Sequence, residues 1–339
     1  MTGVAVIGTG YWGEKHARVY KELWLDGELD TVAICDLNQA RVCEVSGALN
    51  IEGTTHYQQI LSTPEIQAVS IVTPSRTHYQ IAKEFIEAGK DVLVEKPMTM
   101  DVNQAEELVR IANQNNSILM VGHVFRYHPA VRELKLRIDK GELGEIQNIV
   151  SNRVTFGLPR RDMGVIYALG LHELDIFCYL LGVDYPKSLI AVASKVYSQD
   201  IEETAVLAID FGDVKGYAFE SWLVPAYGKR RDLIVVGSKM SARVDYLKPQ
   251  ELCLFDARVI TKNGVPVSLE NRGRHIVPLS YAEPLKEELK QFISCVNSRQ
   301  KSLSDGLVGL RAVVMAEAAL TSARINKAVS LTVQKEGYS

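Results

Sequence analysis

Three groups of residues in this 339-residue chain have types and spacings that carry chemistry. The first is Gly8-Thr9-Gly10-Tyr11-Trp12-Gly13, a G-x-G-x-x-G loop between the apolar run Val4–Ile7 and a stretch of helical spacing. In that context Gly8 permits a tight turn, Gly10 lets the backbone approach a pyrophosphate, and Gly13 lets the helix pack closely on the strand. The helix start adds unpaired N–H groups for the phosphates, and Tyr11 and Trp12 belong to the same cofactor loop. The second is Asp36, 23 residues after Gly13 and at the end of the next apolar run. A carboxylate there accepts hydrogen bonds from both ribose hydroxyls and repels a 2′-phosphate, which favours NAD over NADP. Use of both dinucleotides is the alternative, and a helix N-cap is another role for Asp36, one that Asn38 fills equally well. The third is Glu95-Lys96-Pro97, which ends the run Asp91–Val94. Ligands of open parallel sheets bind beyond the carboxyl ends of the strands, so this lysine is at the edge where chemistry occurs.

The elements that must position these groups follow from periodicity. Short apolar runs at Val4–Ile7, Val32–Ile34, Ala68–Val72, Val92–Val94 and Ile118–Val121 alternate with helical spacing at 14–25, 38–49, 77–89 and 101–115. Such alternation predicts parallel βαβ units, and wholly apolar strands predict a sheet covered on both faces. After Gly122 the pattern changes. Helices are expected at 129–141 and 171–182, alternating strands dominate 187–260, and two helices follow at 283–298 and 305–327. This is an α/β domain at 1–121 followed by an α+β domain at 122–304 with a mostly antiparallel sheet.

Composition narrows the function classes. The chain is 47% apolar and 23% charged with a net charge of -3, which suits a globular protein and argues against nucleic acid as a partner. No apolar run suggests a membrane span, and the N-terminus lacks the basic and apolar regions of a signal peptide. The five scattered cysteines have no metal-ligand spacing and read as reduced thiols, so no metal is expected and the location is cytoplasmic.

Taken together, Gly8–Gly13, Asp36, Thr73-Pro74 with His78, and Glu95-Lys96-Pro97 resemble the Gfo/Idh/MocA family of oxidoreductases, and the resemblance covers nearly the whole chain. It implies a Rossmann domain followed by an open-faced sheet domain. It also implies a final helix that packs back on the first domain and a homodimer or homotetramer formed through the open sheet face. Thr73, Pro74, His78, Glu95 and Pro97 would contribute to the cofactor site, with the bond before Pro97 commonly cis. Lys96 matches the catalytic lysine. Physically, a base that takes a proton from a sugar hydroxyl must be neutral, although lysine ordinarily titrates near about 10.4. Burial and a cationic nicotinamide both disfavour its ammonium form.

The segment from Asp162 to Asp175 resembles the family's second motif, in which His172 matches the histidine that contacts substrate or transfers protons. Ala168 stands where many members carry aspartate. Without that carboxylate the lysine should titrate lower, and a non-catalytic NAD-binding regulator or scaffold becomes an alternative. His123 and Arg126, in Gly122-His123-Val124-Phe125-Arg126-Tyr127-His128-Pro129, are similar to members that act on nucleotide sugars, notably UDP-N-acetylglucosamine 3-dehydrogenases. Arg153, Arg160 and Arg161 are candidates to clamp a diphosphate, and Tyr167 to line the substrate site. The expected reaction is NAD-dependent oxidation of a sugar ring hydroxyl, preferably C3 of a UDP-N-acetylhexosamine; a free sugar or inositol is the alternative substrate.

Overall fold

A computed structural model describes residues 2–331. The chain forms two compact units, one taking the chain up to Tyr127 together with Glu283–Val313, the other His128–Ala282 and the chain from Val314 onward.

In the first unit, strands β1 (Gly3–Ile7), β2 (Thr31–Cys35), β3 (Glu52–Thr54), β4 (Ala68–Ile71), β5 (Asp91–Val94) and β6 (Leu119–Val121) form one sheet in the order β3-β2-β1-β4-β5-β6. All its pairings are parallel. This is the doubly wound order, whose crossovers reverse direction between β1 and β4. Every residue of β1, β4, β5 and β6 is buried, as strands covered on both faces must be. The connecting helices are α1 (Tyr11–Leu25), α2 (Gln39–Leu49), α3 (Tyr57–Leu61), α4 (His78–Glu87) and α5 (Val102–Gln114). The Asn38 side chain caps α2 by accepting from the N–H groups of Ala40 and Arg41, so Asp36 is left for another role.

The second unit contains α6 (Pro129–Asp139), β7 (Ile146–Thr155), a π-helical turn at Ile166–Gly170 and α7 (Leu171–Leu181). Then come β8 (Ser188–Ser194), β9 (Thr204–Asp210), β10 (Lys215–Ser221), β11 (Lys229–Gly237), β12 (Ser241–Asp245), β13 (Glu251–Lys262) and β14 (Val265–Pro278). With β15 (Val329–Ser330) these strands form a nine-stranded sheet, antiparallel except for the β10–β7 pair. On β8 and β9, Leu189, Ala191, Leu207 and Ile209 are buried, whereas Ile190, Val192 and Val206 are exposed on the opposite face.

Helix α8 (Pro284–Ser298) belongs to the first unit, although its sequence position suggested the second. It packs on α1, and the shared core includes Tyr20, Leu23, Leu285, Leu289 and Phe292. Helix α9 (Gly306–Ile325) starts against the parallel sheet, where Gly306 faces Leu119 and Gly309 faces Val121 and Met98. Near its other end, the Ser322 hydroxyl accepts from the N–H of Ala191 on β8. The helix expected at 305–327 is present, but where no apolar run suggested a membrane span, its 20 residues are long and apolar enough for one, with over half of that window buried in the protein. A Cβ on Gly309 would collide with the Val121 side chain. Gly309→Ala should therefore destabilise the first unit by about 1–3 kcal/mol through overpacking, despite the better helix propensity of alanine. Denaturant unfolding with an unchanged or raised midpoint would show that α9 does not need this close approach.

Candidate active site

Backbone hydrogen bonds continue the parallel ladder past the carboxyl ends of the strands. Gly8 N–H donates to Cys35, Val72 N–H to Ile7, Glu95 N–H to Ile71 and Gly122 N–H to Val94. The candidate residues of the first unit thus leave the sheet from one fixed edge. Gly8 has φ +95°, which favours glycine, and a Cβ there would press on the Val72 carbonyl. A Cβ on Gly13 would overlap the Gly8 carbonyl oxygen, so only glycine lets α1 start this close to β1. Gly10 faces open space and no side chain caps α1, leaving the first N–H groups of a 15-residue helix available to an anion. Tyr11 and Trp12 are exposed beside that opening.

Asp36 Oδ2 accepts from the N–H of Thr9 at 2.7 Å and from its hydroxyl at 3.0 Å, while Oδ1 accepts from Asn38 N–H at 2.9 Å. Burial opposes the charge, but these hydrogen bonds and nearby Arg41 outweigh it and hold the carboxyl below its ordinary range. The result is an ionised, partly exposed carboxylate tied to the glycine loop. The open cradle at Gly10, the uncapped helix and this carboxylate fit the diphosphate and ribose of NAD.

Lys96 follows β5 and is partly buried, and the peptide bond from Lys96 to Pro97 is cis. Glu95 Oε2 accepts from the Lys96 N–H at 3.1 Å, and Oε1 lies 3.1 Å from Nε2 of the fully buried His16. Burial works against the Glu95 charge, but the His16 hydrogen bond and Lys96 hold its carboxyl below the ordinary range. Gly122 makes room, since a Cβ there would press on the Glu95 carboxylate. His78 is buried with Nδ1 2.8 Å from the Pro97 carbonyl and Nε2 2.8 Å from the Thr73 carbonyl. It therefore pins the Thr73-Pro74 and Lys96-Pro97 loops to each other rather than presenting a free ring to a cofactor. Burial pushes its imidazole toward the neutral form, which donates to one of the two carbonyls at a time.

In the second unit the π-helical turn carries Tyr167 and Ala168, and α7 carries His172 in its first turn, all three buried. Glu202 Oε1 accepts from the Ile166 N–H at 3.0 Å, which anchors the start of the turn. Arg153 on β7 faces α7 and donates to Glu173 Oε1 at 2.6 Å, with 2% and 1% of the two side chains exposed. The pairing register aligns Arg153 with Glu220 of β10 and Arg231 of β11. Burial and the repulsion of Arg153 push the Arg231 guanidinium down to about 10.

The arginine clamp expected from the sequence needs correction. Arg153 is committed to a buried ion pair. Arg126 is buried and donates to the Leu303 carbonyl at 2.7 Å, holding the chain before α9. His123 is also buried, and Arg160 pairs with Asp162 at the surface. Arg161 is exposed. Sequence reasoning missed His16, Gly122 and Glu288. His16 lies on the buried face of α1 with Gly13, Ala17 and Tyr20, a polar residue in a stripe that otherwise reads as core.

A glycine cradle at the switch point of a doubly wound sheet, with an anchored Glu-Lys-Pro turn on the same edge, defines a dinucleotide-binding domain. Residues 2–123 match the family model described as an oxidoreductase family with an NAD-binding Rossmann fold, and residues 131–243 match the GFO/IDH/MocA C-terminal domain. The chain belongs to the Gfo/Idh/MocA family of NAD-dependent oxidoreductases. It is 28% identical over 313 residues to UDP-N-acetylglucosamine 3-dehydrogenase of Acidithiobacillus ferrooxidans, covering 92% of this chain and 94% of that enzyme. A crystal form of that dehydrogenase superposes with TM-score 0.80 at 25% identity, covering 95% of this chain and 97% of the other. Inositol 2-dehydrogenase of Rhizobium meliloti is 26% identical over 343 residues, covering 96% of this chain and 98% of that one. Levoglucosan dehydrogenase, solved with NADH and levoglucosan, shares the fold with TM-score 0.84 at 18% identity, covering 98% of this chain and all of that one.

Two outcomes follow from the geometry. Asp36→Ala should weaken NAD binding by about 1.5–3 kcal/mol, the worth of hydrogen bonds to a charged group, and narrow the preference over NADP. Calorimetric titration showing unchanged NAD affinity would contradict this role. Arg153→Met should cost about 3–5 kcal/mol of stability because it strands the buried Glu173 carboxylate. A variant as stable as the wild type but weaker for substrate would instead restore Arg153 to the binding site.

Proposed function

We propose that the protein oxidises a ring hydroxyl of a sugar, with Lys96 as the proton acceptor and His172 as a second acid–base or substrate-contacting group. The observation that carries this reading is Lys96 at the carboxyl edge of the sheet, on a turn held by the His16–Glu95 and His78–Pro97 contacts. When bound, NAD supplies a nicotinamide ring that takes up hydride from the hydroxyl-bearing carbon. Gly8, Gly10, Gly13 and the start of α1 would hold its diphosphate, and Asp36 its ribose. Lys96 Nζ takes the hydroxyl proton as the carbonyl forms; in the reverse direction the same group returns it. Glu95 keeps a fixed negative charge next to the lysine.

The preferred substrate is a nucleotide-linked N-acetylhexosamine oxidised at C3. Similarity to the UDP-N-acetylglucosamine 3-dehydrogenase over 92% of the chain supports this reading. Free sugars and inositols form the second reading, which the commitment of Arg153, Arg126 and Arg160 to intramolecular partners favours. The proposed assembly is a homo-oligomer through the open sheet face with Ile190, Val192 and Val206. Turnover on a panel of UDP-sugars, free hexoses and inositols separates the two readings: activity confined to UDP-sugars supports the first, and activity confined to free polyols overturns it. On the best substrate Lys96→Met should retain NAD binding and lose about 10²–10⁴-fold in kcat, the usual contribution of an acid–base group. Retention of most of kcat would move the base elsewhere.

A further inference from the structure

The first unit contains a buried carboxyl that the proposed reaction does not use. Helix α8 carries Leu285, Glu288, Leu289 and Phe292 at i, i+3, i+4 and i+7, and all four are buried, Glu288 completely. Among the described residues, neither oxygen of Glu288 has a hydrogen-bond partner. The helix packs on α1, whose buried face carries His16 and Tyr20 with ring centroids 6.5 Å apart. His16 turns Nε2 to Glu95, and its Nδ1 is likewise buried without a partner. Tyr20 and Tyr127 face Glu288, and burial keeps both phenols protonated. Lys96, His78 and His16 face Glu95.

A carboxylate in the position of Glu288 would lack every hydrogen bond that a buried charge requires, so the group stays protonated. Burial and the neighbouring Glu95 push its carboxyl well above the ordinary range. Two buried carboxyls that sense each other do not both ionise. The N–H groups of His16 and Lys96 are donated to Glu95, which takes the charge, and the proton remains on Glu288.

We propose that Glu288 is a positioning residue for the Glu95-Lys96 turn: a neutral carboxylic acid that confines the negative charge of this buried cluster to Glu95. Loss of its proton to solvent at alkaline pH would put a second negative charge behind the turn and favour the ammonium form of Lys96. This second consequence rests on the reading of Lys96 as the base.

The test compares thermal unfolding of the cofactor-free wild type and Glu288→Gln. The folded chain keeps a proton that the unfolded chain releases near about pH 4.3, so wild-type stability falls relative to the variant as pH rises toward the folded-state pKa. The Tm of Glu288→Gln should gain several degrees on the wild type between about pH 5 and about pH 8. A gap that stays constant over that range overturns the proposal. If Glu288→Gln does not fold, infrared spectra of the wild type and Glu288→Leu near neutral pH replace it. A protonated-carboxyl band lost in the Leu variant supports the assignment, and identical spectra overturn it. The pH–rate profile tests the link to Lys96. The two profiles should coincide where Glu288 is protonated, and at the alkaline pH where it ionises the rise in oxidation should lag in the wild type behind that in Glu288→Gln. Superimposable profiles with a widening Tm gap would refute the positioning role while leaving the buried proton established. Failure of Lys96 as the base would show separately, as turnover retained in Lys96→Met.

Discussion

The arrangement depends on keeping one negative charge at Glu95, whose side chain is only 15% exposed. A carboxylate beneath the sheet edge costs several kcal/mol unless donors surround it. The donors here are the His16 ring and the Lys96 N–H. Gly122 leaves the volume the carboxylate occupies. His16 can reach Glu95 only because α1 starts close to β1, which Gly13 permits by its missing Cβ. The glycine loop thus serves two ends: it opens a cradle for phosphates, and it sets α1 close to β1, with His16 of that helix 3.1 Å from the carboxylate of Glu95, the residue before Lys96.

The second unit solves a related problem differently. It buries Arg153 against Glu173 beneath α7, with Glu220 and Arg231 in register on the flanking strands. A paired charge of this kind contributes little net stability, yet removing one partner is costly. It fixes α7, with His172 in its first turn, on the sheet and so fixes the preceding turn with Tyr167 and Ala168. Arg231 alone in that row has its guanidinium pushed down by burial and a like charge.

Much of the first unit was legible in the sequence because its chemistry is local. The glycine loop, Asp36 and the Glu95-Lys96-Pro97 turn each sit at the end of an apolar run, and strand ends share one sheet edge. The open-faced, mostly antiparallel sheet was legible from alternation at β8–β11. What escaped were roles set by long-range packing. Arg153 reads as a candidate diphosphate ligand until Glu173, 20 residues away, is placed on it. His78 reads as a cofactor contact until two carbonyls 2.8 Å from its ring show it holding loops. Glu288 had a signal in its spacing, a carboxyl among Leu285, Leu289 and Phe292 on one helical face. Helix α8 joined the first unit because its apolar face matches that of α1, a pairing no local motif records.

The central claim is that a ring carbon gives hydride to the nicotinamide while Lys96 takes the hydroxyl proton. The most direct measurement supplies a sugar substrate carrying deuterium on the carbon to be oxidised and follows the label by NMR. The account predicts deuterium at C4 of the reduced nicotinamide, in equal amount to the keto sugar formed, with both formed about 10²–10⁴-fold more slowly when Lys96→Met replaces the wild type. Deuterium released to water, or a product formed without reduced cofactor, would contradict it.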